Sequence, residues 1–120
     1  SNTAKVLEGC IISAYVIVSS EVVIKENCMV MFQSIIGHHA LIKENCVICP
    51  KATVGGYSEV GWQTFLGLGS SMMQRVKIGN EAIVGLGSMV FRDVEDGVTV
   101  VGNPARVTKG NREHKVFHEV

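Results

Sequence analysis

A strict six-residue repeat constrains this chain more than any other feature of its sequence. Every sixth position from 6 to 90 carries a large apolar residue: Val6, Ile12, Val18, Ile24, Val30, Ile36, Ile42, Ile48, Val54, Val60, Leu66, Met72, Ile78, Val84 and Val90. An α-helix, with about 3.6 residues per turn, would scatter these positions around its surface. Fixed self-similarity at six residues is instead the signature of a hexapeptide β-helix. The sequence therefore predicts an all-β fold, a parallel β-helix of about five triangular coils with a short C-terminal extension.

A second column of side chains accompanies the first. The fourth residue after each apolar position is small or β-branched, at Cys10, Val16, Val22, Cys28, Ser34, Ala40, Cys46, Ala52, Ser58, Thr64, Ser70, Val76, Ala82, Ser88 and Val94. Such residues fit where a triangular prism narrows towards a corner. Three hexapeptides close one coil, so residues eighteen apart should lie one rung, about 4.8 Å, above each other.

Glycine and asparagine mark some of the predicted corners. The third residue after the apolar position is Gly9, Asn27, Asn45, Gly69 or Gly87 in five of the repeats. These residue types tolerate a left-handed backbone, so turns are predicted there. The repeat divides the chain into a lead-in or cloning remnant at 1–5, a hexapeptide-repeat prism at 6–94, and a C-terminal strand and tail at 95–120.

Charge and cysteine content narrow the class of protein. Eleven acidic and eleven basic residues balance, so neither nucleic acid nor a membrane is expected as a partner. Cys10, Cys28 and Cys46 form one inward column, a full rung apart, which exceeds the usual disulfide Cβ separation of about 3.8 Å. They are expected to be reduced, in a cytoplasmic protein. Cys49 falls on an outward position with no base beside it and is not predicted to be a nucleophile.

Large apolar side chains also fall on positions that we assign to the outside of the prism. They are Val30-Met31-Phe32, Trp62, Phe65, Leu68, Met73, Leu86, Met89 and Phe91. A monomer that exposes so much apolar surface tends to associate. We therefore predict a homotrimer of prisms around a threefold axis; the alternative is that the tail of the same chain covers these residues.

Five segments together resemble a known family. They are Ile36-Gly37-His38-His39, Gly55-Gly56, Ile78-Gly79-Asn80-Glu81, Val84-Gly85-Leu86-Gly87-Ser88 and Val101-Gly102-Asn103-Pro104-Ala105. In these segments the chain is similar to the left-handed β-helix acyltransferases, and most similar to their sugar acetyltransferase branch, which includes sialic acid O-acetyltransferases and the bacillosamine-pathway N-acetyltransferase. The similarity extends from about Val6 to Ala105. The left hand of the predicted helix is taken from this resemblance.

The resemblance implies a trimeric enzyme that binds acetyl-CoA in a groove between neighbouring prisms. His38 then corresponds to the general base that acts on an amine or hydroxyl of a sugar or nucleotide-sugar. Gly56 corresponds to the glycine whose N–H faces the thioester carbonyl. The expected contacts with acetyl-CoA are Gly56, Tyr57, Gly67, Gly85, Leu86, Asn103, Pro104 and Arg106. Arg106 fits either the CoA phosphates or a solvated chain end.

Two departures from the family concern the site and the acceptor. Members place Asp or Glu directly after the histidine, whereas this chain has His39. Glu21 lies one rung from His39 in the predicted register, within reach to orient its imidazole, and is the predicted replacement. His39 itself is either a partner of His38 or a solvated turn residue. Members also carry an N-terminal nucleotide-sugar-binding domain, without counterpart in these 120 residues, so we expect a fragment or a stand-alone enzyme with a small acceptor.

Two other functions are compatible with the same prism. The γ-class carbonic anhydrases use the same prism and bind zinc through three histidines, a set that His38 and His39 do not complete within the repeat. A trimeric β-helix could also serve as a scaffold without turnover. The acetyltransferase prediction requires acetyl-CoA and no metal, because a neutral imidazole is itself a suitable base near neutral pH.

Overall fold

The structure is a computed structural model that describes residues 3–110. Its repeat consists of fifteen two-residue strands: β1 (Lys5–Val6), β2 (Ile11–Ile12), β3 (Ile17–Val18), β4 (Val23–Ile24), β5 (Met29–Val30), β6 (Ile35–Ile36), β7 (Leu41–Ile42), β8 (Val47–Ile48), β9 (Thr53–Val54), β10 (Glu59–Val60), β11 (Phe65–Leu66), β12 (Ser71–Met72), β13 (Lys77–Ile78), β14 (Ile83–Val84) and β15 (Met89–Val90). Two longer strands follow, β16 (Val98–Gly102) and β17 (Ala105–Gly110).

The strands form three sheets that wrap one prism. Sheet A has the order β1-β4-β7-β10-β13, sheet B the order β17-β16-β14-β11-β8-β5-β2, and sheet C the order β15-β12-β9-β6-β3. Strands of the repeat pair in parallel with a register of eighteen residues, as in Ile24 with Ile42 and Ile42 with Val60. This confirms the predicted all-β parallel β-helix of about five triangular coils. The prism has three corners, which we call A/B, B/C and C/A after the sheets that they join.

Both predicted columns line the interior from the second coil onwards, whereas Val6 and Ile12 in the first coil are 45% and 37% exposed. Ile24, Ile36, Ile42 and Ile48 are fully buried, as are most of the small residues of the second column. Val30 is also fully buried, so its assignment to the outside was wrong: it is itself a member of the apolar series, and only its neighbours Met31 and Phe32 face outwards.

Polar members of the second column bond to the backbone of the next coil. Cys46 Sγ donates to the carbonyl of Gly61 at 2.9 Å, and Thr64 Oγ1 donates to the carbonyl of Gly79 at 2.7 Å. Each bond satisfies a corner carbonyl that the strand ladder leaves unpaired. All four cysteines are free, and burial raises the pKa of Cys49, which makes this half-buried thiol a poor nucleophile.

The corners share one backbone conformation. The third residue after each apolar position is left-handed at every corner from Gly9 to Gly87, at glycine and asparagine and equally at larger residues, such as Tyr15 (φ 60°) and His39 (φ 62°). The sequence predicted this conformation only where Gly or Asn stands. A left-handed residue other than glycine is uncommon, so closure of the coil imposes it on whatever side chain occupies the corner.

The chain leaves the six-residue repeat after Val90. β16 continues sheet B beside β14, but the register is sixteen residues, pairing Ile83 with Thr99. The strand predicted within 95–120 is therefore present, as Val98–Gly102. β17 returns antiparallel to it through the cis Asn103–Pro104 bond, a strand that the sequence analysis assigned to the tail. Ser1-Asn2 and the tail residues beyond Gly110 lie outside the described residues.

Residues 3–110 contain no helix with the length and hydropathy needed to cross a membrane.

Candidate active site

The predicted site residues His38, His39, Gly56 and Glu21 all lie on the C/A corner, where each coil turns from sheet C into sheet A. Backbone hydrogen bonds join successive coils along this corner. The N–H of Tyr57 donates to the carbonyl of His38 at 2.9 Å. The corner is therefore a rigid column of turns that holds exposed side chains one rung apart.

His38 lies across the neighbouring Gly56. A Cβ built on Gly56 would stand 3.2 Å from His38 Nε2 and 3.3 Å from its Cε1. The ring therefore occupies the space that any side chain at position 56 would need. The other ring nitrogen, Nδ1, lies 3.3 Å from Nδ1 of His39. One edge of the imidazole is thus engaged by a neighbour, whereas Nε2 forms no hydrogen bond within residues 3–110.

The backbone of Gly56 supplies a donor at the same point. Its N–H has no hydrogen-bond acceptor in the described part of the chain. At the A/B corner the corresponding N–H groups of Trp62 and Asn80 are capped by side-chain oxygens of Asn80 and Asp96, at 3.0 and 2.8 Å. The corresponding N–H groups of His38, Gln74 and Leu86 also have no acceptor in residues 3–110, so the Gly56 N–H is distinguished by the neighbouring Nε2 of His38.

His39 belongs to a stack of side chains along the corner. Its ring lies parallel to that of Tyr57, with centroids 4.5 Å apart and an angle of 7° between the planes. The guanidinium carbon of Arg75 lies 4.6 Å from the centroid of the Tyr57 ring. Both separations match the rung spacing of about 4.8 Å, so the left-handed corner positions align these three side chains.

Glu21 does not take the role expected of it. No ion pair or hydrogen bond joins its carboxylate to His39 among residues 3–110, and its own N–H donates to Thr3 Oγ1 at 3.1 Å. Glu21 lies one rung before His39 and Tyr57 one rung after it. The His39 ring stacks on the ring of Tyr57 and not on Glu21. Tyr57, expected from the resemblance to contact the cofactor, likewise contacts both histidines, with its ring at 89° to that of His38 and 5.2 Å away.

The other predicted cofactor residues lie elsewhere on the chain. Gly67, Gly85 and Leu86 are on the B/C corner, where Leu86 is 76% exposed. Asn103 and Pro104 form the turn of the C-terminal hairpin, which is held to the B/C corner because the Gly102 N–H donates to Ser88 Oγ at 3.0 Å. A single chain therefore does not bring these residues together with His38.

A cleft of about 560 Å³ lies between the hairpin and the last turn of the C/A corner. Pro104 and Arg106 line its hairpin side, and Phe91, Arg92 and Asp93 line the other. Arg92 belongs to the column of His38 and lies three rungs from it, roughly 14 Å along the prism. Arg92 and Arg75 stand in the columns of His38 and His39, but a column pattern shows adjacency and not which neighbours touch, so the sequence alone assigns neither a role.

No group of three His, Cys, Asp or Glu side chains in residues 3–110 is arranged to hold a metal ion.

Comparisons with known proteins agree with the repeat. The family model for the bacterial transferase hexapeptide (six repeats) matches residues 21–56. Comparison with curated proteins gives no significant match.

Solved structures give further matches. Perosamine N-acetyltransferase from Caulobacter crescentus, as a mutant in complex with CoA and GDP-perosamine, is 29% identical, with a TM-score of 0.56 over 88% of this chain and 53% of that one. The acetyltransferase domain of PglB from Neisseria gonorrhoeae is 26% identical, with a TM-score of 0.52 over 88% of this chain and 55% of that one. The chain thus spans about half the length of these two proteins.

A galactoside acetyltransferase in complex with coenzyme A shares the fold at a TM-score of 0.86, over 96% of this chain and 70% of that one, with 22% identity. The chain therefore carries the bacterial transferase hexapeptide repeat on a parallel β-helix and resembles the sugar acetyltransferases.

Proposed function

We propose that this protein is an acetyl-CoA-dependent acetyltransferase that moves an acetyl group to an amine or hydroxyl of a sugar or nucleotide-sugar, with His38 as the general base. One observation carries the proposal: His38 Nε2 lies beside Gly56, whose N–H has no acceptor among residues 3–110. Acyl transfer from a thioester needs a base for the acceptor's proton and a donor for the developing oxyanion. Both groups are available at one point of the C/A corner.

His38 carries the proton from the acceptor to the leaving thiolate, while Gly56 stabilises the oxyanion. His38 Nε2 takes the proton from the acceptor's O–H or N–H while the acceptor's lone pair attacks the thioester carbonyl. The Gly56 N–H donates to the carbonyl oxygen as it becomes negative. Collapse of the tetrahedral intermediate breaks the C–S bond, and the proton passes from His38 to the leaving thiolate. The products are free CoA and the acetylated sugar, with His38 neutral again.

The cleft at the end of the prism suits the nucleotide end of acetyl-CoA. Arg92 and Arg106 line it and offer guanidinium donors for phosphate groups. The extended pantetheine arm would then follow the C/A corner and bring the thioester to Gly56 and His38, about 14 Å away. The complexes of the sugar acetyltransferases with CoA, and of the PglB domain with acetyl coenzyme A, support this choice of co-substrate.

The acceptor is proposed from the relatives. Perosamine N-acetyltransferase was crystallised with GDP-perosamine, which makes a nucleotide-linked sugar a reasonable acceptor class for this chain. A sugar without the nucleotide is an equal candidate.

A homotrimer would bury the apolar face of sheet B. The outward residues of sheet B are apolar in every coil: Ile11, Met29, Val47, Phe65 and Ile83. Packing three such faces around an axis would bury them and leave the C/A corner, which lies opposite sheet B, pointing away from the axis. The free cysteines support a cytoplasmic location for this assembly.

Release of free thiol from acetyl-CoA tests the proposal. Amino-sugars, sialic acids and nucleotide-sugars are offered in turn to the wild-type protein and to His38→Ala, with metal analysis of the same samples. Acceptor-dependent thiol release that His38→Ala abolishes supports the proposal. Stoichiometric zinc without binding of CoA or thiol release would favour the γ-class alternative, and absence of both zinc and turnover on any acceptor would favour the scaffold.

A further inference from the structure

We infer that Tyr57 and Arg75 are positioning residues that act through His39, fixing its ring so that its Nδ1 accepts the Nδ1–H of His38 and leaves Nε2 of His38 free as the base. The inference rests on the proposed function, because the direction of that hydrogen bond follows from the use of His38 Nε2. In this arrangement His39 orients the His38 imidazole, as an acidic residue would in the related enzymes. Arg75 gains a role that neither the sequence nor the comparisons assign.

Tyr57 covers one face of the His39 ring and so restricts its rotation. An exposed histidine on a turn rotates freely, but His39 lies 4.5 Å from Tyr57 and nearly parallel to it. Arg75 covers the Tyr57 ring at 4.6 Å, an attraction between a cation and an aromatic face. Each ring therefore has a neighbour at rung spacing, and the stack stands on the left-handed positions 39, 57 and 75 of three successive coils.

The hydrogen bond between the two histidines links their tautomers. The two Nδ1 atoms are 3.3 Å apart, and only one of them can carry the shared proton. If His38 Nδ1 carries it, His38 Nε2 is unprotonated and lies at Gly56. If His39 Nδ1 carried it, the neutral His38 would be protonated at Nε2 and could not accept a proton there. The tautomers of the two rings are thus coupled, and a base at His38 Nε2 requires the one in which His39 Nδ1 accepts.

Proton transfer remains balanced in this arrangement. When His38 Nε2 takes the acceptor's proton, the ring becomes an imidazolium and its Nδ1–H still donates to His39. That hydrogen bond strengthens as charge develops on the donor, so His39 stabilises the transition state more than the ground state. When His38 returns the proton to the thiolate, the pair regains its starting tautomers.

The decisive experiment compares two tyrosines at equivalent corner positions. Tyr57→Leu removes the flat ring above His39, whereas Tyr15→Leu removes a ring at the same left-handed position of the B/C corner, remote from the histidines. We expect Tyr57→Leu to lower kcat by about 10- to 100-fold, as misplaced catalytic groups do, without changing the Kd of acetyl-CoA. Tyr57→Phe should retain activity, and Tyr15→Leu should match the wild type.

A double substitution separates positioning from cofactor binding. If Tyr57 acts through His39, then Tyr57→Leu should add little to the loss already caused by His39→Leu. The same holds for Arg75→Gln, for which Lys51→Gln, at the equivalent B/C position, is the control. Additive losses, or a raised Kd for acetyl-CoA in Tyr57→Leu, would overturn the inference in favour of direct cofactor contact.

Imidazole nitrogen NMR gives a readout that does not depend on turnover. Long-range proton–nitrogen correlations on the wild-type chain should show His38 protonated at Nδ1 and His39 at Nε2. Tyr57→Leu should abolish this difference between the rings. The inference is overturned if both rings carry the proton on Nε2 in the wild type, or if Tyr57→Leu leaves the spectra unchanged. Failure of the proposed function shows separately, as thiol release that does not depend on His38.

Discussion

Nε2 of His38 lies beside the α carbon of Gly56, 3.2 Å from the point where a Cβ would stand. This distance is tighter than an ordinary side-chain contact, so the histidine uses the space that the glycine leaves open. The absence of a side chain at position 56 therefore leaves room for the imidazole beside a backbone N–H that has no acceptor within residues 3–110. Substitutions at and around this pair make the proposal testable.

Gly56→Ala should lower turnover while the prism stays folded. The added methyl would push the His38 ring by a few tenths of an ångström or more, and displacement of a catalytic group by about 1 Å costs roughly 10²-fold in rate. Steady-state kinetics beside a thermal melt checks this. Ser20→Ala, in the same column on the other side of His38, is the control. An unchanged kcat in Gly56→Ala would contradict the role of this contact.

His38→Ala should lower turnover by about 10² to 10⁴-fold, the range for a lost general base. The affinity for acetyl-CoA should stay close to wild type, because the base acts mainly in the transition state. Single-turnover kinetics and calorimetry measure the two effects separately.

His39 provides the comparison for that prediction. His39→Asn retains a side-chain oxygen that can accept from His38 Nδ1, so it should lose less activity than His39→Leu. Glu21→Gln should have little effect, since the Glu21 carboxylate forms no hydrogen bond or ion pair with His39 among residues 3–110. If His39→Leu abolished turnover while His38→Ala left it intact, the base would be His39 and Gly56 would lose its assigned role.

Gly37→Ala should destabilise the fold itself. A Cβ at Gly37 would stand 2.5 Å from the backbone nitrogen of Gly56 and 2.8 Å from the carbonyl oxygen of Val54, and backbone cannot rotate away. Forcing extra atoms into a packed site costs about 1 to 3 kcal/mol. Thermal unfolding at fixed protein concentration measures the loss. Ser19→Ala, at the equivalent position one coil earlier, should be neutral, and equal stability of both variants would contradict the close approach.

The repeat made most of the fold predictable, since a six-residue period determines which residues face inwards and which lie one rung apart. It could not choose between the two rungs that flank His39. Glu21 and Tyr57 are equally near in the register, and the choice depends on the stacking of flat rings, which only side-chain coordinates reveal.

The six-residue repeat could not predict the C-terminal hairpin, for a different reason. Its register of sixteen residues with β14 departs from the period, so the pattern that predicted the prism carries no information about β17. The left-handed corners at Tyr15 and His39 were missed because residue preference favours Gly and Asn there, whereas coil closure imposes the conformation on every residue type.

Acetyl-CoA should bind to protein that has been treated with a chelator. The proposed contacts are guanidinium groups of Arg92 and Arg106 in the terminal cleft and the backbone of Gly56, none of which requires a metal. Calorimetry before and after chelation measures the affinity. Arg106→Gln should weaken binding, because it removes one cation facing the phosphates, whereas Lys5→Gln on sheet A should not. Loss of binding on chelation, restored by zinc, would contradict the proposal.

The chain should form a trimer, with about three times the 13.0 kDa chain mass in light scattering coupled to size exclusion. The outward residues of sheet B are apolar in all five coils, whereas sheet A presents Lys5, Glu59 and Lys77 among its outward residues. An aspartate introduced into a buried apolar interface loses its hydration without gaining a partner. Val47→Asp on sheet B should therefore reduce the mass to that of one chain.

Leu41→Asp on sheet A provides the matched control for that substitution. Leu41 and Val47 are both outward, half-buried and located in neighbouring strands, β7 and β8, so each change introduces the same charge at a similar depth. Leu41→Asp should remain trimeric and active if sheet B forms the interface. A wild-type chain that is monomeric at micromolar concentration yet fully active would show that one prism contains the complete site.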